Sequence, residues 1–331
     1  HDVINGIGLY RTENRERFRT IREDDVYEAS VGVFADTSIH WNSWFRTNVG
    51  VRGDLFHFDT SSDTPANSGD DLAGIVSPKV SAIFGPWKET ELYLNFGTGF
   101  HSNDARGTTA TVDPKTGDPV DKVPGLVAAR GMELGARTEW IPGLQSSLAL
   151  WKLDFDSELV YVGDAGATEA NRPSTRRGLE WNNRYIPLPW LLVDADLAWT
   201  HARFSDSDPV GDRIPNAVDK VASIAFTARD LGPWSASIQW RYLGSGALIE
   251  DNSVRSNSSL TTNLRVSRKL TPKTELTLDV FNLFDRKVND IEYFYESRLP
   301  LPAPGEVVPV ADKHVHPAEP RTLRLTLRMG F

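Results

Sequence analysis

The chain has no cysteine among its 331 residues, which excludes a disulfide framework, a thiolate metal site and a cysteine nucleophile. It has no stretch near the roughly 18 consecutive apolar residues of a membrane helix, so a helical membrane protein is excluded. Positive charge is in deficit: 36 Lys and Arg stand against 45 Asp and Glu, a net charge of -9. Nucleic acid, which is held through its phosphates, is therefore not an expected partner. There is no G-x-S-x-G elbow, no H-E-x-x-H pair and no Walker-type loop, so an enzyme is not expected, nor a cofactor or resident metal. The opening HDVINGIGLYRTENRERF has no apolar core of signal-peptide length. An exported protein with this sequence is expected to have its leader, and more, upstream.

What the chain does have is alternation. In the last eleven residues Leu323, Leu325, Leu327, Met329 and Phe331 fall on one face of a strand, and Thr322, Arg324, Thr326 and Arg328 on the other. An apolar face backed by arginines suits a wall with hydrocarbon on one side and water on the other. Such walls escape hydropathy tests because the two faces average out, here to a mean hydropathy of -0.36.

Period-2 segments predict about thirteen strands, at 25–38, 43–58, 72–84, 89–100, 127–140, 145–161, 176–186, 190–203, 217–229, 234–247, 259–270, 274–284 and 321–331. Short turns (around 40–42, 85–87, 141–143, 187–189, 231–233 and 271–273) alternate with long polar connections at 59–71, 101–126, 162–175, 204–216, 248–258 and 285–320. One plain rim and one elaborated rim is the asymmetry of outer-membrane barrels. Ten residues at about 3.3 Å each, tilted near 40°, cover roughly 25 Å, the height of the apolar band. Six of the ten tryptophans, Trp41, Trp44, Trp87, Trp140, Trp190 and Trp234, lie beside short turns, as an interfacial belt requires.

The faces can be assigned by strand. In 43–58, Phe45, Val49, Val51 and Leu55 are expected to face lipid, and Arg46, Asn48, Arg52 and Asp54 the lumen. In 127–140 the outward row is Met132, Leu134, Ala136 and Trp140, against Glu133, Arg137 and Glu139. In 190–203, Leu191, Val193, Ala195, Leu197 and Trp199 oppose Asp194, Asp196 and Thr200. The expected lumen lining therefore includes Arg46, Arg52, Asp54, Glu133 and Arg137.

Four segments carry a family resemblance. Asn95-Phe96-Gly97-Thr98-Gly99-Phe100-His101-Ser102-Asn103-Asp104-Ala105-Arg106-Gly107 resembles a strand end and loop of TonB-dependent receptors. Gly131 to Arg137 resembles the E-x-G-x-[RK] strand that follows it, Val280-Phe281-Asn282-Leu283-Phe284-Asp285 the N-L-F-D motif, and Glu319-Pro320-Arg321 into 323–331 the closing strand. The resemblance implies an all-β, transmembrane, antiparallel up-and-down barrel of 22 strands in the Gram-negative outer membrane, importing siderophores, cobalamin, haem, sugars or similar nutrients. It also implies an N-terminal plug and a TonB-binding segment. This sequence supplies neither. The expected layout is an outer loop and the end of a preceding strand in 1–24, then the C-terminal part of the barrel in 25–331, an incomplete and open curved sheet with two bare edges. Contact with the TonB complex would run through the missing N-terminal part. A passive porin and a truncated frame without activity of its own are the alternatives.

By the same resemblance His101, Asn103, Asp104 and Arg106 are ligand-binding candidates; the simpler reading is a loop fixed by its own hydrogen bonds. Haem is disfavoured because no N-P-N-L segment precedes Glu133. His314, His316 and Glu319 offer imidazole and carboxylate, but a lone H-x-H is a weak metal signal. Asp251 and Arg255 are read as an outer-loop cluster that joins loops or bridges lipopolysaccharide, which with outer-membrane lipid is an expected partner.

Overall fold

Alternation along the chain becomes a single antiparallel sheet. The computed structural model describes residues 2–13, 15–114, 116–162, 167–170, 172–298 and 309–330. In chain order the elements are β1 (Asp2–Glu13), β2 (Glu16–Asn42), β3 (Phe45–Ser62), β4 (Gly69–Trp87), β5 (Thr90–Ser102), α1 (Ala105–Thr109), β6 (Leu126–Thr138), β7 (Leu144–Phe155), β8 (Leu159–Val162), β9 (Ala167–Ala170), β10 (Ser174–Leu188), β11 (Leu191–Phe204), β12 (Lys220–Leu231), β13 (Trp234–Leu243), β14 (Ser259–Thr271), β15 (Thr274–Phe281), β16 (Asn289–Arg298), β17 (Pro309–Pro317) and β18 (Thr322–Met329). Fourteen strands form the main sheet, each beside its neighbour in sequence except where the β8–β9 and β16–β17 pairs stand apart.

The register keeps the two faces separate across strands. Leu134, Leu150, Leu179 and Trp199 are successive cross-strand partners on the outer face. Glu91, Arg137, Ser147, Asn182, Asp196 and Ser223 form a polar row on the inner one. A slip of one residue would turn every apolar side chain inward, so the pattern itself fixes the pairing. Leu323, Leu325 and Leu327 are 67%, 69% and 55% exposed, so these leucines do not pack into a dry interior; they form an outer surface. Phe331 lies outside the described residues. Among the described residues, some buried apolar side chains form small clusters under the long loops, Val26–Phe58–Ala105 and Ala202–Phe204–Ile214.

The short-turn rim carries the aromatic belt. Trp44 stacks on Trp87 at 6.2 Å and Phe45 on Phe84 at 5.0 Å, while Lys88 and Arg268 sit over Trp140 and Trp234 at 5.6 and 5.0 Å.

The structure departs from the sequence reading in five places. The strand end expected within 1–24 is β1, a fourteenth strand of the main sheet, and residues 16–24, in the span that also held the expected outer loop, continue β2 as a paired ladder. The strand expected at 145–161 ends at Phe155, because Glu158 turns back to Arg176 and Ser174, and β8 pairs with β9. The loop expected at 162–175 holds β9 and the start of β10, that at 285–320 a β-hairpin, and that at 101–126 a helix.

The sheet is open. Among the described residues β18 pairs only with β15, and β1 covers β2 as far as Glu28. Residues 29–42 of β2 therefore present a bare edge among the described residues.

Candidate functional site

On the inner face near the short turns, Glu91 is gripped from both sides. Arg46 Nη1 donates to Glu91 Oε1 at 2.7 Å and Arg137 Nε to Oε2 at 2.7 Å, joining β3, β5 and β6. Arg46 and Arg137 were both expected in the lumen lining; Glu91 was not, since single-strand alternation does not show which acid lies opposite two arginines. Glu91 and Arg137 also line a concavity of about 600 Å³ with Glu139, Asn182, Arg184 and Asp194. Farther up the wall Arg52 holds Asp54 through Nε and Nη2 at 2.7 and 2.6 Å. Asp54 is buried while the Arg52 side chain remains half exposed. Glu133 lines a shallower hollow beside Trp151 and Glu180. Arg46 and Arg137 thus meet at one carboxylate, while Arg52–Asp54 and Glu133 stand apart.

Large inner side chains lie flat across glycines on the next strand. Tyr93 pairs with Gly135, where a β-carbon would run into the tyrosine ring. Trp151 pairs with Gly178, where a β-carbon would come within 2.7 Å of the indole. Each glycine leaves room for a ring that would otherwise stand up into the lumen.

At the elaborated rim, the loop after β5 folds back over the inner face. Asn103 is buried, its backbone N–H bonded to Gly125 O at 2.9 Å and its Nδ2 to Pro124 O at 2.7 Å. Asp104 caps α1 by accepting from the Arg106 N–H at 3.0 Å, and Arg106 returns Nε at 2.9 Å and Nη2 at 2.5 Å. Burial alone would push the Asp104 carboxyl up, but the hydrogen bonds and charge of Arg106 outweigh it and hold it below its usual range. Ala105 seals against Phe58 and Val26. Asn67, in a 3-10 turn (Pro65–Asn67), clamps the same loop through Val112 O at 2.8 Å and the N–H groups of Thr111 and Val112 at 3.0 Å. Asn103, Asp104 and Arg106 each make hydrogen bonds within this loop. His101 Nε2 and Asn103 Oδ1 are both buried without a hydrogen-bond partner among the described residues, and the His101 ring lies 6.1 Å from Phe155.

Farther round the rim the loops are tied to one another. Arg172 donates Nε to Asp206 Oδ2 at 2.7 Å and Nη1 to Gly211 O at 2.8 Å, which holds the Asp206 carboxyl below its usual range. Arg255 reaches Ser245 Oγ and O, both at 2.9 Å, so it joins loop segments. The β16–β17 hairpin docks through Glu292, which accepts from Asn257 Nδ2 at 3.0 Å and Asn289 Nδ2 at 2.9 Å. Lys313 Nζ donates to Arg255 O at 2.5 Å. His314 stacks on Tyr295 at 3.8 Å and His316 faces Asp290 at 3.8 Å. No group of three His, Asp or Glu able to hold a metal occurs among the described residues.

The Asn282–Asp285 motif is a staple. Asn282 sits at φ 48°, a left-handed conformation that Asn tolerates. Its Nδ2 donates to Arg286 O at 2.9 Å and Glu319 O at 3.2 Å, and its Oδ1 accepts from Arg286 N at 2.9 Å. Asp285 Oδ1 accepts from Arg321 N at 3.0 Å. Both ends of the longest loop are thereby pinned at one point.

A family model described as TonB dependent receptor-like, beta-barrel, matches residues 3–283. No curated protein matches the chain. Among solved structures, the ferric-catecholate import receptor Fiu from K12 E. coli in its closed form is similar over 93% of this chain, at 16% identity and a TM-score of 0.71. The ferric yersiniabactin uptake receptor FyuA from Yersinia pestis covers 94% at 15% identity, also with a TM-score of 0.71. The siderophore receptor PiuA from Acinetobacter baumannii covers 94% at 13% identity and 0.69. At these identities the likeness is one of fold. The chain spans 45%, 47% and 44% of those three structures respectively.

Proposed function

The chain belongs to the TonB dependent receptor-like β-barrel family, and from that premise we propose that it forms barrel wall in a ligand-gated outer-membrane importer energised through TonB. Its cargo is a scarce, siderophore-like small organic ligand. The reading is carried by the two-faced sheet, with exposed Leu323, Leu325 and Leu327 outside and ion-paired Arg46, Glu91 and Arg137 inside. A polar, hydrated inner wall suits passage of a polar ligand past a movable occupant. Neighbours named for ferric-catecholate, yersiniabactin and siderophore uptake support that cargo class. His101 is the ligand contact at the mouth, and Asn103, Asp104 and Arg106 shape the loop that presents it. Arg46, Arg52, Asp54, Glu133 and Arg137 line the path. TonB engages parts of the receptor beyond this barrel segment.

Growth tests the reading. A strain lacking the gene should lose growth on particular ferric siderophores under iron limitation, and loss of TonB should have the same effect. Uptake that persists without TonB and follows solute size alone would instead mark a passive porin.

A further inference from the structure

β4 and β5 separate partway up the wall. Among the described residues their ladder runs from Trp87–Thr90 only to Lys79–Gly97. Yet β4 continues beside β3 to Gly69, and β5 beside β6 to Ser102. Pro78, the next residue of β4, brings no N–H to a ladder. At about 3.3 Å per residue and a tilt near 40°, this fork opens roughly 20 Å above the short turn, below the rim loop that follows β5.

The fork holds a cavity of about 430 Å³. Ser77 Oγ on one prong and Thr98 Oγ1 on the other belong to its lining, and both are buried without a hydrogen-bond partner among the described residues. Phe100 closes the cleft by meeting Phe56, two strands away, edge to face at 5.7 Å. Phe34 also lines the cavity. It pairs with Arg52 on the polar face and is 68% exposed, an aromatic ring presented to water rather than to lipid. Arg52 gives Nε and Nη2 to Asp54, which leaves Nη1. Lys79 lies over Gly50, where a β-carbon would come within 2.5 Å of its Cε, and Asp36 stands on the far side of Gly50 in the same row. Neither Lys79 nor Asp36 makes a hydrogen bond or ion pair among the described residues.

We propose that the fork is a subsite of the inner wall for a hydroxylated aromatic acid, a reading that rests on the importer function and names the chemistry its path recognises. The ring lies against Phe34. Its carboxylate takes charge-assisted hydrogen bonds from Lys79 Nζ and Arg52 Nη1, and its hydroxyl donates to Asp36. The Ser77 and Thr98 hydroxyls gain the partners that burial denies them. An inorganic anion lacks the ring, and a neutral sugar lacks the charge.

Gly99 lines the same cavity, and a β-carbon there meets nothing within 4 Å, so in a chain without cysteine Gly99→Cys reports on the site. The full chain carrying it, in detergent, is treated with a charged thiol reagent. Labelling should be rapid, whereas Gly53→Cys, also in open space but on the apolar face beside Val33 and Val76, should react slowly. Millimolar 2-hydroxybenzoate should slow Gly99→Cys labelling at least five-fold. The concentration for half-protection should rise about five-fold with Lys79→Gln, from the worth of a partly hydrated ion pair. It should rise about three-fold with Phe34→Leu, from the worth of an aromatic pair, and stay unchanged with Lys273→Gln on the short-turn rim. Cyclohexanecarboxylate and inorganic phosphate should not protect, and protection by either overturns the aromatic assignment. Equal protection by the free acid and by its iron(III) complex supports recognition of the ring and its acid group; protection by the complex alone overturns it. Labelling that 2-hydroxybenzoate does not slow, or protection indifferent to both Lys79→Gln and Phe34→Leu, removes this subsite and leaves the importer reading standing. A Gly99→Cys that stays unlabelled while Gly53→Cys reacts removes the water-lined wall beneath both.

Discussion

Replacing Asn282 by Ala should release the return of the chain into β18. The side chain makes three hydrogen bonds, two donated from Nδ2 and one accepted at Oδ1, and the residue is 5% exposed. Each is worth about 1 kcal/mol net. Forcing Ala to φ 48° adds about 1 kcal/mol of left-handed strain. The sum, about 4 kcal/mol, corresponds to roughly a thousand-fold rise in local opening. Asn282→Gly removes the same bonds without the backbone penalty and should cost about 3 kcal/mol. Hydrogen exchange reads the effect at the amides of Arg286, bonded to Asn282 Oδ1, and Arg321, bonded to Asp285 Oδ1. Both should lose protection, in the order Ala more than Gly, while amides in the middle of β6 and β7 keep theirs. Unchanged exchange at Arg286 and Arg321 would refute the staple, and Gly equal to Ala would refute the conformational part.

Other consequences are equally direct. Gly135→Val should destabilise the sheet by about 1–3 kcal/mol, because its side chain would occupy the place of the Tyr93 ring, whereas Gly53→Ala, with open space around it, should be nearly silent; denaturant midpoints in detergent compare the two. Glu91→Ala leaves Arg46 and Arg137 facing each other without their shared carboxylate and should cost about 1–3 kcal/mol at this partly wet wall; recovery of stability in the Glu91→Ala, Arg137→Ala double variant would confirm the coupling. Burial pushes the Glu292 carboxyl up, but Asn289, Asn257 and Lys313 outweigh it and lower its pKa. The hairpin is therefore held in full above the ordinary glutamate range near pH 4.3 and loosens as pH falls below it. Spin labels at Ala311 and Ser253 should show distances broadening only on acidification, and a distance distribution independent of pH would contradict the latch.

The sheet was legible because its physics is local. A segment such as 322–329 declares both faces by its own alternation, and the alternation of turn and loop lengths orders the strands. What was hidden depends on partners far along the chain. Glu91 becomes a bridge only when β3 and β6 bring two arginines to it, and Gly135 becomes a seat only when Tyr93 is opposite. The polar stretch at 285–320 gave no strand signal because β16–β17 buries little apolar surface and is held by Glu292, Lys313 and Asn257 instead. Asn103, Asp104 and Arg106 carry residue types shared by ligand sites and by loops, and their bonds to Pro124, Gly125 and the α1 backbone could not be read from the residue types alone.

A chain without cysteine permits the most direct test of the two-solvent wall. Single cysteines at Leu325 and its neighbour Arg324, on opposite faces of β18, are exposed to a charged, membrane-impermeant thiol reagent in outer membranes. Arg324→Cys should react at the rate of a hydrated thiol, and Leu325→Cys should stay unlabelled until detergent or a lipid-soluble reagent is supplied. Rapid labelling of both positions by the charged reagent, or protection of Arg324→Cys with labelling of Leu325→Cys, would contradict a wall that separates hydrocarbon from water.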